Sequence, residues 1–421
     1  MKKISILILW LFLWVSLGWT RVYINIDAPG QERMPIAIST FISKGDPQLG
    51  LRAQTILKKD LDYTGLFSIL SPETFLEEKP TLEVDFKKWQ LIGAYLLIKG
   101  KTEVKNDLVY LELVLYDVRK GLQLLGKRYK GAPRDIRYMV HKFADAMMEV
   151  LTGEPGIFQT KIAFVYASKT RKEIYLADFD GYHPRALTRF RSICLSPKWH
   201  PKGDKLLFTS YKRGKPDVYL VDLKQRKAIR LIHYPGLNIA PAWSPTGDKI
   251  AVTLSKTGKQ GIYLVDNKGK IIKPLVLSSG INVSPAWSPD GGKLAFVSDR
   301  SGSPQIYVLD LSSNRIERLT FEGHYNTSPA WSPKGDFIVY SGLKGGHFQL
   351  FMIKSDGGII KQLTYNNTNH ESPSWSPDGH FIVFSQDGKI CILRLGDGEI
   401  FPIVDLPGKQ TQPSWSPRLN K

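Results

Sequence analysis

Cysteine is scarce in this chain: among 421 residues, Cys194 and Cys391 are the only two. This excludes a disulfide-rich scaffold and a cysteine-rich zinc fold. A G-x-S-x-G pentapeptide is also absent, which argues against an α/β-hydrolase active site. Acidic residues are the minority charge, with 39 Asp and Glu against 58 Lys and Arg, for a net charge of +19. The lysines are spread along the chain without a dense basic stripe, so nucleic acid is not an expected partner.

Long apolar runs are also missing, apart from one at the N-terminus. Lys2 and Lys3 precede an apolar run from Ile4 to Trp19, about 16 residues, which is short of the ~20 needed to cross a bilayer. Small residues at Ser16 and Gly18 fit a cleavage site. We predict a Sec-type signal peptide over 1–18 (within two residues) and export to the periplasm. We expect no integral membrane segment after cleavage and a monomer in isolation; an uncleaved anchor is the alternative.

The chain repeats itself with a period of 44 residues. The motif S-P-x-W-S-P-x-G recurs in variants whose tryptophans are separated by four intervals of 44 residues and a last one of 40: Trp199, Trp243, Trp287, Trp331, Trp375 and Trp415. A second series keeps the same register through "EIYLAD", "DVYLVD", "GIYLVD", "QIYVLD", "QLFMIK" and "KICILR". Cys391 takes the aromatic position of this second series, which predicts a buried thiol.

Each repeat contains four short strand patterns separated by Gly, Pro and Asp. Four antiparallel strands every ~40–45 residues are typical of a propeller blade. The series starts with a second strand near Lys161 and ends with a first strand at Trp415, so the last strand has to complete the first blade. We therefore predict an all-β six-bladed propeller over 161–417, closed by the C-terminal strand.

The region before the repeats mixes helical and strand patterns. The segment "QLGLRAQTILKKDLDYTG" has helical spacing and ends at Gly65, and "PRDIRYMVHKFADAMMEVLTG" is amphipathic and ends at Gly153. Four strand patterns lie between them, one in "GLFSILS" and three over 95–131. We predict an α/β domain over 21–153 and a short linker over 154–160.

Four segments outside the repeats carry a family resemblance: "RVYINIDAPG", "LDYTGLFSILSPETF", "WQLIGAYLLIKG" and "LTGEPGIFQTKIAFV". Together with the W-S-P-D-G repeats and the signal peptide, they resemble the TolB family over essentially the whole mature chain. The resemblance implies a non-catalytic periplasmic scaffold without metal or cofactor. Such a protein links Pal to TolA in the Tol–Pal system and supports outer-membrane integrity and constriction during division. Other outer-membrane or peptidoglycan-associated proteins are further expected partners.

The resemblance also implies two binding surfaces. The TolA-binding box is the N-terminal segment, a terminal strand suited to pairing with another sheet edge: Arg21, Val22, Tyr23, Ile24, Asn25, Ile26, Asp27, Ala28 and Pro29. Pal is expected at the mouth of the propeller channel, on the loops that enter the Trp strands. The first set of residues there is Leu237, Asn238, Ala240, Asn282 and Val283, and the second is Asn326, Thr327, His370 and Glu371. The competing interpretation is that the polar members only serve turn formation.

Two other functions are compatible with the residues. A saccharide- or peptidoglycan-binding propeller would use aromatic rim residues such as Tyr234 and Tyr325 for stacking. A metal-dependent propeller lyase would use His324, His347 and His370, which all fall in loops expected on one face.

Overall fold

The computed structural model describes residues 32–277 and 280–419. The predicted signal peptide and the TolA-binding box, Arg21 to Pro29, lie outside these residues. Among the described residues, no helix is long and apolar enough to cross a membrane.

The N-terminal domain is built on a six-stranded sheet in the order β3-β1-β4-β5-β6, with β2 pairing on β4. β1, β2 and β3 run parallel to their neighbours, whereas β4, β5 and β6 form an antiparallel meander. The strands are β1 Met34–Ile38, β2 Ile42–Lys44, β3 Phe67–Ile69, β4 Leu96–Lys105, β5 Leu108–Asp117 and β6 Leu122–Gly131.

Three α-helices cover this sheet: α1 Pro47–Thr64, α2 Phe86–Leu91 and α3 Ile136–Thr152. The Asp46 side chain accepts from the amide of Gln48 and caps α1, and Gly65 ends it in a left-handed conformation. The helices α1 and α3 pack on one face of the sheet, while Trp89 of α2 is buried against the other. Two 3-10 turns, Pro72–Thr74 and Pro133–Asp135, complete the domain.

The repeats form six four-stranded antiparallel sheets, so the predicted fold class, an α/β domain followed by a six-bladed propeller, is confirmed. Blades one to three contain β10 Cys194–Trp199, β11 Lys205–Ser210, β12 Asp217–Asp222, β13 Lys227–Ile232; β14 Asn238–Trp243, β15 Lys249–Leu254, β16 Gly261–Asp266, β17 Ile271–Val276; and β18 Asn282–Trp287, β19 Lys293–Ser298, β20 Gln305–Asp310, β21 Ile316–Arg318. Blades four and five contain β22 Asn326–Trp331, β23 Phe337–Lys344, β24 His347–Lys354, β25 Ile360–Gln362; and β26 His370–Trp375, β27 Phe381–Gln386, β28 Lys389–Arg394, β29 Ile400–Pro402.

The sixth blade joins the two ends of the ring. It contains β30 Lys409–Trp415, β7 Lys161–Ala167, β8 Lys172–Asp178 and β9 Arg185–Ala186, in that order. The C-terminal strand β30 lies antiparallel to β7, so first and second strands more than 240 residues apart form one sheet. This pairing gives β7 a neighbour on both sides, β30 and β8, so the second strand of the sixth blade is not an edge.

The tryptophans tie neighbouring blades together. The indole nitrogens of Trp287, Trp331 and Trp375 each donate to a backbone carbonyl of the preceding blade, at 3.0 to 3.2 Å. Trp199 donates to the carbonyl of Ser414 at 3.0 Å, which links the first blade to the closing strand. These tryptophans therefore stabilise the ring by joining each of their blades to the neighbouring one.

The N-terminal domain and the propeller share one apolar core, which contains residues of α1, α3, β7 and β27. The segment 154–160, predicted as a linker, carries Ile157 and Phe158 into this core. The carboxylate of Asp145 on α3 accepts from the amide of Phe158 and from the side chain of Gln159, both at 2.8 Å. The connection between the two domains is therefore packed and hydrogen-bonded.

Candidate partner-binding face

The loops that enter the first strands form a rim on one face of the ring. In blades one to five, the carbonyl of the residue before the first strand accepts from a backbone amide at or just after the end of the second strand. Examples are Ser255 donating to the carbonyl of Leu237 at 3.1 Å and Leu343 donating to that of Tyr325 at 2.9 Å. The N-terminal domain contacts the opposite face, where Arg394 donates to the carbonyl of Tyr63 at 2.9 Å. Among the described residues, the N-terminal domain and the rim therefore lie on opposite faces of the ring.

Four of the predicted Pal-binding residues are buried at the starts of first strands: Asn238, Asn282, Asn326 and His370 are each at most 2% exposed. Asn238 donates to the carbonyl of Tyr234 at 2.8 Å and accepts from its amide at 2.8 Å. This bonding pattern closes the loop that leads into the strand. Turn formation, the competing interpretation of the sequence, accounts for this side chain.

The other two asparagines act in the same way. Asn282 donates to the carbonyl of Gly280 at 3.2 Å and accepts from Ser298 at 2.9 Å. Asn326 donates to the carbonyl of Glu322 and to the Gln305 side chain, each at 2.8 Å. These buried amides hold the rim in shape, so any effect on a partner acts through the loops that they position.

His370 lies at the equivalent place in the fifth blade, with its ring 5.4 Å from that of Phe384. Burial lowers the pKa of this imidazole. Within 32–277 and 280–419, no group of three or more His, Cys, Asp or Glu residues has the arrangement of a metal site. His324, His347 and His370 are therefore not brought together as the lyase hypothesis requires.

The remaining predicted residues do face the rim. Glu371 is exposed, and Leu237, Ala240, Val283 and Thr327 are half-buried. Partial burial raises the pKa of Glu371, and the nearby carboxylate of Asp387 raises it further. These five side chains are the part of the predicted set that can meet a partner directly.

Sequence reasoning placed Leu237 and Tyr325 on this rim but missed Ile193 and Ile281, with which they form an apolar arc. The residue just before the first strand is Ile193, Leu237, Ile281 and Tyr325 in four consecutive blades. Ile193, Ile281 and Tyr325 are 41%, 47% and 43% exposed. The same position is Asn369 in the fifth blade and Lys409 in the sixth, so the arc covers four of the six blades. The 44-residue spacing of these four residues is the signal that could have revealed it.

The two aromatic residues of the saccharide hypothesis differ in availability. The hydroxyl of Tyr234 is engaged by the carbonyl of Gly269 and the amide of Ile271, both at 3.1 Å. Tyr325 is exposed and meets Phe348 edge to face, with ring centroids 5.6 Å apart. Only Tyr325 of the pair therefore offers a free ring on the rim.

The channel of the ring opens inside this rim, as a cavity of about 120 Å³ lined by the first strands. In each blade a residue of the left-handed conformation makes a bulge there, and the six are Ser196, Ala240, Ser284, Ser328, Ser372 and Gln412. Two residues further along, Lys198 stands where the other blades have alanine or serine. Burial lowers the pKa of this lysine. The channel beneath the apolar arc therefore holds one lysine where the other five blades carry small side chains.

Two family models match the chain. The model of the TolB amino-terminal domain matches residues 22–124, and that of the TolB beta propeller domain matches residues 148–419. Together the two models include the rim and most of the α/β domain.

Curated and solved relatives are consistent with both models. The chain is 40% identical over 201 residues to the Tol-Pal system protein TolB of Desulfosudis oleivorans, which is 46% of each chain. It is 39% identical over 195 residues to that of Syntrophotalea carbinolica, 44% of this chain and 45% of the other. The chain thus spans about half the length of the curated relatives it matches. The crystal structure of TolB from Acinetobacter baumannii superposes with a TM-score of 0.81 at 28% identity, covering 93% of this chain and 98% of that one.

Proposed function

This chain belongs to the TolB family, whose curated members are named as proteins of the Tol–Pal system. On that premise we propose that it is a non-catalytic periplasmic scaffold. In this proposal the rim binds Pal and the N-terminal segment 21–29 binds TolA. By connecting the two, the protein supports outer-membrane integrity and constriction during cell division.

The observation that carries the proposal is the apolar arc of Ile193, Leu237, Ile281 and Tyr325. Exposed apolar residues that cluster at equivalent places of a repeat scaffold are typical of a protein-binding surface. The arc is held by buried side chains at the strand starts, so it is pre-formed and little ordering is lost when a partner docks. Val283 and Ala240 extend the same surface toward the channel.

The test is titration calorimetry of the mature protein with the soluble domain of Pal from the same organism. The variant Ile281→Arg places a charge within the arc. The control Ile272→Arg makes the same change on the outer strand β17, where the side chain is 50% exposed against 47% for Ile281. We expect Ile281→Arg to weaken binding about tenfold or more, since a desolvated unpaired charge opposes docking.

The control variant should bind Pal like the wild type. An unchanged affinity for Ile281→Arg, or an equal loss in the two variants, would contradict docking on the arc. Absence of Pal binding by the wild type would overturn the rim as a Pal site and favour the saccharide alternative.

The TolA contact is tested separately by deleting residues 21–29. We expect the deletion to abolish TolA binding and to leave the Pal affinity unchanged, because the rim lies on first-strand loops far along the chain. Normal TolA binding by the truncated protein would refute the role of this segment. N-terminal sequencing of protein recovered from the periplasm tests cleavage after the predicted signal peptide.

A further inference from the structure

A cleft of about 520 Å³ lies between the N-terminal domain and the sixth blade, on the side of the ring away from the rim. This volume is in the range of small-molecule binding sites. The N-terminal domain contributes Arg52, Arg134 and His141, and the blade contributes Lys161 and Arg185. The cleft is therefore lined by basic groups from segments far apart in the chain.

Some of the cations in the cleft are neutralised by carboxylates. Arg137 pairs with Asp180 at 2.5 Å, and Lys161 pairs with Asp178 at 2.5 Å. The pair of Arg137 and Asp180 connects the two domains, whereas that of Lys161 and Asp178 lies within the sixth blade. A further carboxylate, that of Asp135, also lines the cleft, and one of its oxygens accepts from the amide of Ala132 at 3.0 Å.

Three further arginines have no such partner. Arg52, Arg134 and Arg185 are exposed at the cleft and make no ion pair with any other residue of the described ranges. Guanidinium groups recognise oxyanions through paired N–H donors. Three unpaired guanidinium groups around one cavity favour a ligand with more than one negative charge.

A fourth group comes from the buried wall of the cleft. The Nδ1 of His141 lies 2.7 Å from a carboxylate oxygen of Asp60, and both side chains are at most 5% exposed. Because the carboxylate accepts, Nδ1 carries a hydrogen and the ring orientation is fixed. The Nε2 atom of His141 has no hydrogen-bond partner in the part of the chain that the structure describes. A buried nitrogen without a partner is unfavourable unless a ligand satisfies it.

The helix α3 and the turn before it bring these groups to one side. Arg134, Arg137 and His141 are spaced by three and four residues, so they share one helical face. Tyr182 from the propeller lies against Arg137, with the guanidinium 4.2 Å from the ring centroid, and stacks on His183. This exposed aromatic surface can support the carbon skeleton of a ligand whose anionic group is held by the arginines.

We propose that this interdomain cleft binds a phosphorylated small molecule of sugar size, with the phosphate held by Arg52, Arg134 and Arg185 and a sugar hydroxyl donating to His141 Nε2. A phosphate monoester brings nearly two negative charges and three acceptor oxygens, which match the three guanidinium groups. The Nε2 atom of His141 is the acceptor nitrogen of its ring and suits a hydroxyl donor of the sugar. The site is independent of the rim, since it lies on the other side of the ring.

The experiment is titration calorimetry of the mature full-length protein with glucose 6-phosphate, inorganic phosphate and glucose. We expect glucose 6-phosphate to bind and glucose not to bind. Inorganic phosphate should compete for the same site with lower affinity, because it lacks contact with the aromatic surface. Failure of glucose 6-phosphate to bind, or equal binding of glucose, would overturn the proposal.

A pair of double variants locates the site. Arg134→Gln with Arg185→Gln removes two unpaired charges from the cleft, and Arg189→Gln with Arg213→Gln removes two exposed charges elsewhere. We expect the first double variant to bind glucose 6-phosphate about tenfold or more weakly than the wild type. The second double variant should keep the wild-type affinity within about twofold. Equal losses of affinity in the two double variants would show that only the net charge of the protein matters and would refute a specific site in the cleft.

The role of His141 is read by NMR of its ring nitrogens in the wild-type protein, which needs no substitution of a buried residue. Saturation with glucose 6-phosphate should shift the Nε2 resonance of His141, whereas glucose should leave it unchanged. An unmoved Nε2 resonance at saturation would remove His141 from the site. The Pal affinity of the cleft variants is measured as well and should equal that of the wild type. This measurement separates the proposal of a ligand in the cleft from that of Pal binding at the rim.

Discussion

The closure of the ring can be tested with two equally buried tryptophans. Trp199 and Trp243 occupy the same strand position in adjacent blades, and each is 8% exposed. The indole of Trp199 donates to the carbonyl of Ser414 in the closing strand at 3.0 Å. The indole nitrogen of Trp243 has no hydrogen-bond partner among the described residues. Replacement by phenylalanine therefore removes similar apolar area from both sites but breaks a hydrogen bond at only one.

The difference between the two variants isolates that hydrogen bond. A buried hydrogen bond contributes about 1 kcal/mol, within ~0.5–1.5 kcal/mol, to the free energy of unfolding. The packing losses of Trp199→Phe and Trp243→Phe are of similar size and cancel in the comparison. We therefore expect Trp199→Phe to lower the free energy of unfolding by about 1 kcal/mol more than Trp243→Phe does.

Urea unfolding measures the free energies, and amide hydrogen exchange locates the effect. The closing strand β30 should exchange faster in Trp199→Phe, since its tie to the first blade is lost, and at the wild-type rate in Trp243→Phe. Equal free energies in the two variants, together with unchanged exchange in β30, would show that the indole bond does not help to close the ring.

Three further predictions concern buried groups. Burial raises the pKa of Asp145 to about 6, so the folded protein binds a proton there more tightly than the unfolded chain does. The free energy of unfolding should therefore fall as the pH rises from about 4 to 6, and Asp145→Asn should remove that part of the slope in urea titrations. Burial raises the pKa of the Cys194 and Cys391 thiols to about 11, so a thiol reagent at pH 8 should label neither in native protein and both in urea; rapid native labelling would contradict their burial. A Cβ at Gly181, where φ is +80°, would lie 1.5 Å from the carbonyl oxygen of Ile403. Gly181→Ala should therefore lower the free energy of unfolding, measured with urea, by ~3 kcal/mol or more. An unfolding midpoint equal to that of the wild type would refute this prediction.

Local patterns determined most of the fold. The tryptophan period predicted six blades, because each blade repeats the same strands and turns at the same spacing. The helix ends at Gly65 and Gly153 followed from the need for a left-handed residue there, and both glycines have positive φ. Such features depend on residues a few positions apart, and the sequence contains them directly.

The candidate site was predicted only in part. The loops of the rim could be located from the repeat, but the direction of each side chain could not. Asn238, Asn282, Asn326 and His370 turned inward, because a polar group at the start of each first strand satisfies the loop that enters it. At the neighbouring position Leu237 was predicted in the second blade, but Ile193 and Ile281, which face outward in the first and third blades, were missed. Polarity alone gave the opposite expectation, since amides are usually exposed and isoleucine is usually buried.

The sequence by itself determined the repeat, the number of blades, the helix ends and the family. Only the tertiary structure decided which rim residues are exposed, that 154–160 is packed into a shared core, and that the cleft exists. Arg52, Arg134 and Arg185 line that cleft although they come from separate segments of two domains. Their meeting depends on how α1 and α3 pack against the sixth blade, and no local pattern encodes a contact over such distances along the chain.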